Sequence, residues 1–289
     1  MTNRVNIVGG GLAGSEAALQ LAKRGIKVNL YEMRPKKSTG AHVSGDFAEF
    51  VCSNSLGSFD VTNASGLLKK EMELLGGELI KIAYDCSVPA GNALAIDRTL
   101  FSRTVTEKIR SNENITVIEG EVEKIPEGYT IMASGPLTSD ILSKDIQQFT
   151  EEEHLHFFDA IAPIIEKDSI NFDIAFYASR YDKGEASYIN CPMNKEQYEK
   201  FYEFLINAPK IELKEFEKKA KFFESCLPVE VLASRGVDTL RFGPMKPVGL
   251  VDKRTGDENY AVVQLRQDNS AKTLYNIVGF QTNLKWGAQ

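Results

Sequence analysis

The sequence predicts an α/β fold in which a doubly wound, Rossmann-like domain is interrupted by an inserted α+β domain. Two observations predict the first domain. An apolar run that ends at Val8 leads into a glycine-rich turn, and a helical pattern with a second strand follows. A third observation predicts the second domain, because aromatic and charged residues become denser from about Glu151. The 289 residues suffice for one large or two medium domains.

The glycine-rich turn has the pattern G-x-G-x-x-G and joins the first strand to the first helix. Gly9 permits the tight turn, Gly11 lets the backbone approach a pyrophosphate, and Gly14 lets the helix pack closely on the strand. The start of the helix also offers unpaired backbone N–H groups to phosphates. The binding residues predicted in this turn are Gly9, Gly10, Gly11, Leu12, Ala13 and Gly14.

The elements after the turn complete a dinucleotide-binding unit. A helical pattern runs over Leu12–Arg24, Gly25 ends it, and a strand over Lys27–Tyr31 leads to Glu32. An acid at this point can bind a ribose hydroxyl. Proteins that bind S-adenosylmethionine also combine a glycine turn with a strand-end acid, but the third glycine inside the helix favours FAD or NAD. A structural turn with a solvated Glu32 is the other alternative.

The following stretch predicts a long loop and then helices and short strands. Pro35–Ser65 is polar and shows little periodicity, and loops of this length inside a domain are usually functional. The last of the predicted strands, over 129–133, leads to Gly135. This arrangement resembles the strand-to-turn motif of many flavoproteins with two dinucleotide sites, so Gly135 is a candidate cofactor contact. Helices are predicted over 67–75 and 99–110, and strands over 116–119, 121–125 and 129–133.

The predicted division has three parts: the first part of the dinucleotide-binding domain at 1–150, the inserted domain at 151–270, and a return to the first domain at 271–289. Gln289 ends the sequence before any element that would close a doubly wound sheet, so we expect a C-terminally truncated chain. Beyond residue 150, helices are predicted over 195–205 and 213–223, and strands over 260–265 and 274–279.

Composition argues against several classes of protein. No apolar run reaches the ~18 residues of a membrane span, and the N-terminus lacks the features of a signal peptide, so we expect a cytoplasmic protein without a membrane partner. The net charge of −6 argues against a chain that coats nucleic acid indiscriminately, while a local basic patch stays open. Candidate patches are Arg34, Lys36 and Lys37, or Arg241 and Lys246.

The four cysteines lie far apart without a C-x-x-C pattern, which indicates neither a zinc site nor a disulfide framework. By residue type alone, each is more often a small buried hydrophobe than a nucleophile. His154 and His156 lie in an acidic stretch, and no metal site is predicted. The cysteines are Cys52, Cys86, Cys191 and Cys226.

Several longer strings of the sequence are far more specific than a nucleotide fingerprint. They are Val8–Ala17, Leu30–Pro35, Val51–Leu56, Cys86–Gly91, Phe242–Leu250 and Tyr275–Thr282. These strings closely resemble the TrmFO family of folate-dependent tRNA uracil-5-methyltransferases, and the resemblance runs from the first strand to the last residue. Members of that family normally continue past the point where this sequence ends.

The resemblance implies an FAD-binding domain of the glutathione-reductase type, with an insertion that helps to hold tRNA and the nicotinamide cofactor. It implies an enzyme that uses FAD, NAD(P)H and 5,10-methylenetetrahydrofolate to form 5-methyluridine at uridine 54 in the T-loop of tRNA. Cys226 and Cys52 fall at the positions of the family's two functional cysteines. Cys226 is then the thiol that adds to uracil C6, and Cys52 lies beside the flavin. Glu32 and Arg34 are expected to contact the cofactor.

Three alternatives stay open beside this hypothesis. The first is an FAD-dependent protein that modifies wobble uridines in tRNA, although the contexts of Cys52 and Cys226 favour TrmFO. The second is a flavin disulfide reductase, which would normally show a C-x-x-x-x-C pair that this sequence lacks. The third is a non-catalytic tRNA-binding flavoprotein. The choice between NADH and NADPH, the general base, the folate contacts and the oligomeric state stay open.

Overall fold

The computed structural model describes residues 4–151, 162–182, 185–210, 227–256 and 259–288. Its strands, in chain order, are β1 (Arg4–Val8), β2 (Lys27–Glu32), β3 (Ser55–Ser58), β4 (Ser87–Val88), β5 (Ala93–Ile96), β6 (Ile115–Glu119), β7 (Thr130–Met132), β8 (Ile164–Glu166), β9 (Phe176–Ala178), β10 (Tyr188–Met193), β11 (Ala261–Gln267) and β12 (Leu274–Ile277). Its α-helices are α1 (Leu12–Lys23), α2 (Ala64–Leu74), α3 (Glu78–Asp85), α4 (Arg98–Arg110), α5 (Asp140–Thr150), α6 (Lys195–Asn207), α7 (Val229–Ala233) and α8 (Thr239–Phe242).

The chain divides into two compact units. Each unit combines segments that are distant in the sequence, because its sheets pair strands across long loops. Unit 1 consists of Met1–Val51, Asp60–Cys86 and Arg98–Phe157. Unit 2 consists of Cys52–Phe59, Ser87–Asp97 and Phe158–Gln289.

Unit 1 contains a parallel sheet with the strand order β6-β2-β1-β7. The direction of strand addition reverses between β1 and β7, which is the topological switch point of a doubly wound sheet. Helix α1 connects β1 to β2 and buries Ala18 and Ala22 at helical spacing. Helix α4 buries Phe101, Val105 and Ile109, again four residues apart. These apolar faces cover the sheet and fix the ends of its strands.

Unit 2 contains an antiparallel sheet with the strand order β8-β12-β11-β10-β9, and a small antiparallel sheet with the order β3-β5-β4. Strand β11 is buried along most of its length, as expected of a central strand. Tyr198 on α6 and Leu240 on α8 pack into the same apolar cluster as Ile189 and Met245. An antiparallel sheet with separate helices agrees with the α+β character predicted for the inserted region.

Local predictions agree with the structure where the sequence pattern is strongly periodic. The predicted helices starting at Leu12 and Thr99 correspond to α1 and α4 within one residue at each end. Two predictions fail: 121–125 is not a strand, and the predicted loop Pro35–Ser65 contains β3 and the start of α2. Ile125 donates its backbone N–H to Asp145 Oδ2 at 2.8 Å. In a strand this N–H would instead bond to the backbone of a neighbouring strand. The helix predicted over 213–223 lies outside the described residues.

The grouping into units differs from the division at residues 150 and 270 that the sequence predicts. Strand β12 pairs with β11 and β8, so the stretch 271–289 belongs to unit 2 rather than to the first domain. The segments of β3, β4 and β5 also belong to unit 2. Their small sheet is tied to β11, because Asn54 Nδ2 donates to the carbonyl oxygen of Gln267 at 3.0 Å. No described helix has both the length and the apolar character needed to cross a bilayer.

Candidate functional site

A cavity of about 310 Å³ opens within unit 1 at the carboxyl ends of the parallel strands. Val8 at the end of β1, Glu32 at the end of β2 and Ala133 after β7 all line it. This is the switch point of the sheet, the place where open α/β sheets bind their ligands. The structure brings together almost all cofactor-binding residues predicted from the sequence. Gly9, Gly10, Gly11, Leu12, Ala13, Glu32, Arg34 and Gly135 line the cavity.

Three glycines of the turn are required by close packing. Gly9 has a φ of +104°, and a Cβ there would lie 2.5 Å from the carbonyl oxygen of Ala133. A Cβ on Gly10 would lie 2.8 Å from Glu32 Oε2. Gly14 does not line the cavity, but a Cβ on it would overlap the carbonyl oxygen of Gly9. The third glycine of the pattern therefore lets the first turn of α1 rest directly on the glycine turn.

Gly11 differs from its neighbours because a Cβ at this position would meet no protein atom within 4 Å. Its φ of −70° is open to any residue, so neither strain nor packing requires glycine here. Gly11 is the N-cap of α1 and makes no side-chain cap, which leaves the first backbone N–H groups of the helix without a capping side chain. The space beside a bare helix N-terminus fits a phosphate group. The residues present therefore fit the pyrophosphate of a dinucleotide.

Glu32 and Arg34 form a buried ion pair at the wall of the cavity, with 7% and 3% of their side chains exposed. Arg34 Nε and its backbone N–H both donate to Glu32 Oε1 at 3.0 Å. Glu32 Oε2 accepts from Arg34 Nη2 at 3.2 Å and from the backbone N–H of Gly10 at 2.8 Å. Burial raises the pKa of Glu32, but the hydrogen bonds and charge of Arg34 outweigh it and hold the pKa of Glu32 below its ordinary value.

This pairing bears on the predicted role of Glu32 as a ribose ligand. Each carboxylate oxygen already accepts two hydrogen bonds, which fills the four acceptor positions of the group. A ribose hydroxyl would therefore have to replace one of the bonds from Arg34. In this structure Glu32 fixes the glycine turn through Gly10, and the ribose contact stays a prediction.

The loop before β3 adds cavity residues that the sequence analysis missed. Thr39, His42 and Glu49 line the cavity. Glu49 Oε2 accepts from Ser44 Oγ at 2.7 Å and from Arg34 Nη1 at 3.2 Å, so this carboxylate ties the loop to the buried ion pair. Burial and then the charge of Arg34 lower the pKa of His42, which favours the neutral ring. The polar composition of the loop predicted a function, but gave no signal for these three residues.

Most side chains of the two basic patches considered from the sequence are paired with other groups of the protein. Arg34 is buried, and Lys36 Nζ donates to the carbonyl oxygen of Glu119 at 3.0 Å. Lys37 pairs with Glu121 at 2.6 Å. Arg241 Nη1 pairs with Asp238 at 2.9 Å, and the Arg241 guanidinium lies 3.5 Å from the ring centre of Tyr260. The first patch is therefore not an open basic surface.

The cysteines occupy different environments. Cys52 is exposed and directly follows Val51, a residue that lines the cavity. Cys86 is buried, and burial raises the pKa of the Cys191 thiol. Cys226 lies outside the described residues. The described part of the chain contains no cluster of three or more His, Cys, Asp or Glu side chains that could hold a metal ion.

The glycine turn, the bare helix N-terminus and the cavity at the switch point define a dinucleotide-binding α/β protein. The chain belongs to the glucose inhibited division protein A family, whose sequence profile matches residues 4–289. The structure of GidA from Aquifex aeolicus in its form II crystal covers 99% of this chain with a TM-score of 0.62 and 14% identity, and 51% of that chain is matched. This likeness confirms the predicted fold class.

The similarity to TrmFO predicted from the sequence is also confirmed. The methylenetetrahydrofolate--tRNA-(uracil-5-)-methyltransferase TrmFO of Bacillus pumilus is 60% identical over 289 residues, which are 100% of this chain and 66% of that protein. The TrmFO of Halalkalibacterium halodurans is 60% identical over 288 residues, with the same shares. The chain thus spans 66% of the length of these curated relatives.

Proposed function

We propose that the protein is a folate- and FAD-dependent tRNA methyltransferase that forms 5-methyluridine at uridine 54 of the T-loop. One observation carries the proposal: identity of 60% to a TrmFO protein extends over the whole chain. The cavity in unit 1 supports it, because the residues present fit a dinucleotide. From the proposed tRNA substrate we also infer a cytoplasmic location.

Different residues of the unit 1 cavity would bind different parts of FAD. The N–H groups at the start of α1, from Leu12 and Ala13, would bind the pyrophosphate beside Gly11. Gly135 and Arg34 line the same cavity and would contact the remainder of the cofactor. Bound FAD, reduced by NAD(P)H, would supply the reducing equivalent and carry the one-carbon unit from 5,10-methylenetetrahydrofolate to uracil.

The nucleophile follows from the chemistry of uracil. C5 is a poor nucleophile until a thiolate adds to C6, which forms an S–C6 bond and moves the electron pair of the C5=C6 bond toward O4. After C5 has gained its one-carbon substituent, a base removes the C5 proton and the bond from that carbon to its carrier breaks, which leaves an exocyclic methylene on C5. Addition of a hydride, the reducing equivalent named above, turns this methylene into the methyl group, expels the thiolate from C6 and restores the C5=C6 double bond. We assign the addition to Cys226. We place Cys52 beside the flavin, which agrees with its exposure.

Mass spectrometry of the nucleosides and of the ribonuclease fragments of an unmodified tRNA transcript tests the proposal. The transcript is incubated with the protein, NADPH and methylenetetrahydrofolate in the absence of S-adenosylmethionine. The reaction is run with the 289 residues and with a chain extended to the length of the relatives. We expect 5-methyluridine at position 54, and its loss in Cys226→Ala with FAD retained. Modification at a wobble uridine, or bleaching of the flavin by NADPH without methyl transfer in either chain, would contradict the proposal.

A further inference from the structure

A second cavity, within unit 2, has a volume of about 140 Å³. Leu227 and Ile277 contribute apolar walls, and Ser53, Arg266 and Gln281 contribute polar ones. We refer to it as the Arg266 pocket. A protein cavity of about 150 Å³ accommodates one benzene ring. The Arg266 pocket is therefore sized for a single six-membered ring.

The guanidinium of Arg266 is fixed in its plane by neighbouring side chains. Its Nε donates to Asn54 Oδ1 at 3.0 Å, and its Nη2 donates to Ser53 Oγ at 2.7 Å and to Asn276 Oδ1 at 3.2 Å. Only 7% of Arg266 is exposed. A cationic donor that is oriented in advance stabilises negative charge on a bound oxygen without a cost for reorganisation.

Gln281 offers the complementary groups. Its carbonyl oxygen accepts from the backbone N–H of Val229 at 2.7 Å, which fixes the backbone of this residue. Its side-chain amide makes no hydrogen bond to any residue of the described chain, so one acceptor and two donors are available at the pocket wall. On the same turn, Asn283 is 8% exposed, and its Oδ1 is buried without a partner among the described residues.

These walls select a particular ring. Arg266 can only donate, so the ring must present a carbonyl oxygen to it, while the Gln281 amide can accept from an N–H. A pyrimidine-2,4-dione presents O4 next to N3–H and has two apolar faces for Leu227 and Ile277. Cytosine presents an amino donor at position 4, which conflicts with Arg266, because a guanidinium only donates.

We propose that the Arg266 pocket binds a pyrimidine-2,4-dione ring, the ring of the target uracil in the RNA. The inference rests on the proposed function and names where its substrate base is held. Ser53 follows Cys52 in the sequence and Leu227 follows Cys226, so both proposed functional cysteines immediately precede residues of the pocket wall. Enzymes that act on a base commonly take it out of the stack into such a pocket. The terminal ring of the flavin has the same dione edge and is the second source of this chemistry.

The pocket also has a consequence for the reaction. When the thiolate forms its bond to C6, the electron pair displaced from C5=C6 moves toward O4. The positive charge of Arg266 would stabilise the negative charge on that oxygen while Arg266 keeps its own proton. Arg266 is then a residue that acts on the substrate directly, and Gln281 is one that recognises N3–H.

The test combines one protein variant with one ligand variant. Fluorescence anisotropy measures the affinity of the full-length chain, and of its Gln281→Ala variant, for a T-arm hairpin RNA with uridine or N3-methyluridine at the target position. Gln281→Ala removes a side chain without hydrogen bonds, so the fold is retained. Gln148→Ala, at an exposed position on α5, is the matched control. FAD occupancy and the flavin absorption spectrum are recorded for each protein.

If uracil occupies the pocket, N3-methylation weakens binding to the unsubstituted protein about 5-fold and has no effect on Gln281→Ala, whose affinity is already about 5-fold lower. If the flavin ring occupies it, RNA affinities stay unchanged and Gln281→Ala shifts the flavin spectrum or lowers FAD occupancy. If neither the RNA affinities nor the FAD occupancy and flavin spectrum change, the inference is overturned. This test measures binding and not methyl transfer. A failure of methyl transfer would therefore overturn the proposed function but not this inference.

Discussion

The unit 1 cavity and the Arg266 pocket are built in opposite ways. The cavity of unit 1 includes the turn between β1 and α1, where glycines keep side chains away from the backbone. The wall of the Arg266 pocket contains polar side chains, such as Ser53 and Arg266, that lie 213 residues apart in the sequence and hydrogen-bond at 2.7 Å. The unit 1 cavity suits a pyrophosphate, which backbone N–H groups can bind. The Arg266 pocket suits a ring that is recognised by the donors and acceptors along one edge. The following predictions test that difference.

The largest effect is expected for Gly14→Ala in unit 1. The new Cβ would overlap the backbone carbonyl of Gly9, which cannot move without breaking the turn. We expect the free energy of unfolding to fall by more than about 3 kcal/mol. Urea unfolding measures it. Gly11→Ala adds the same methyl group without a clash and should stay within about 0.5 kcal/mol of the unsubstituted protein. Equal losses for the two variants would contradict the packing role of Gly14.

Asn54→Ala is the corresponding test in unit 2. Asn54 is fully buried; its Nδ2 donates to the carbonyl oxygens of Ile96 and Gln267, and its Oδ1 accepts from Arg266 and Asn276. Truncation leaves several of these groups unpaired, so we expect a loss of about 3 kcal/mol. Chemical denaturation followed by a probe in unit 2 checks this value. A loss below about 1 kcal/mol, no greater than that of Asn207→Ala at an exposed position, would show that the network adds little.

A smaller, pH-dependent effect is expected for Glu78, which lines neither cavity. Lys108 and Lys23 donate to its carboxylate at 2.6 and 2.8 Å and lower the pKa of Glu78 to about 2. A lowered folded-state pKa stabilises the protein above the ordinary value of 4.5, and this stabilisation is lost as the pH falls from there toward about 2. Because both lysines are half exposed, we expect only about 1 kcal/mol.

Unfolding free energies between pH 6 and pH 3 measure this effect. Glu78→Gln cannot titrate, so its stability should fall less steeply over the same interval than that of the unsubstituted protein. Identical slopes for the two proteins would contradict the role of the two lysines.

The difference between the cavities also explains what the sequence could predict. The glycine turn, α1 and the strand ending at Glu32 depend on residues close in the sequence, and all were predicted. The partner of Glu32 was not, because Arg34 was expected to contact the cofactor itself and nothing in the sequence distinguishes a buried guanidinium from an exposed one. The Arg266 pocket gave no signal at all, because its side chains meet only after distant segments pair in one unit.

The central claim is that the unit 1 cavity holds a dinucleotide on backbone groups beside Gly11. A titration of apoprotein with FAD, followed by flavin fluorescence, tests it in Gly11→Val against the unsubstituted protein. A Cβ here meets no protein atom within 4 Å, so we expect the fold to be retained while valine fills the space for phosphate. We expect at least about 100-fold weaker FAD binding, a loss equivalent to about 2.7 kcal/mol, with an unchanged unfolding midpoint. Undiminished FAD binding in a folded Gly11→Val protein would contradict it.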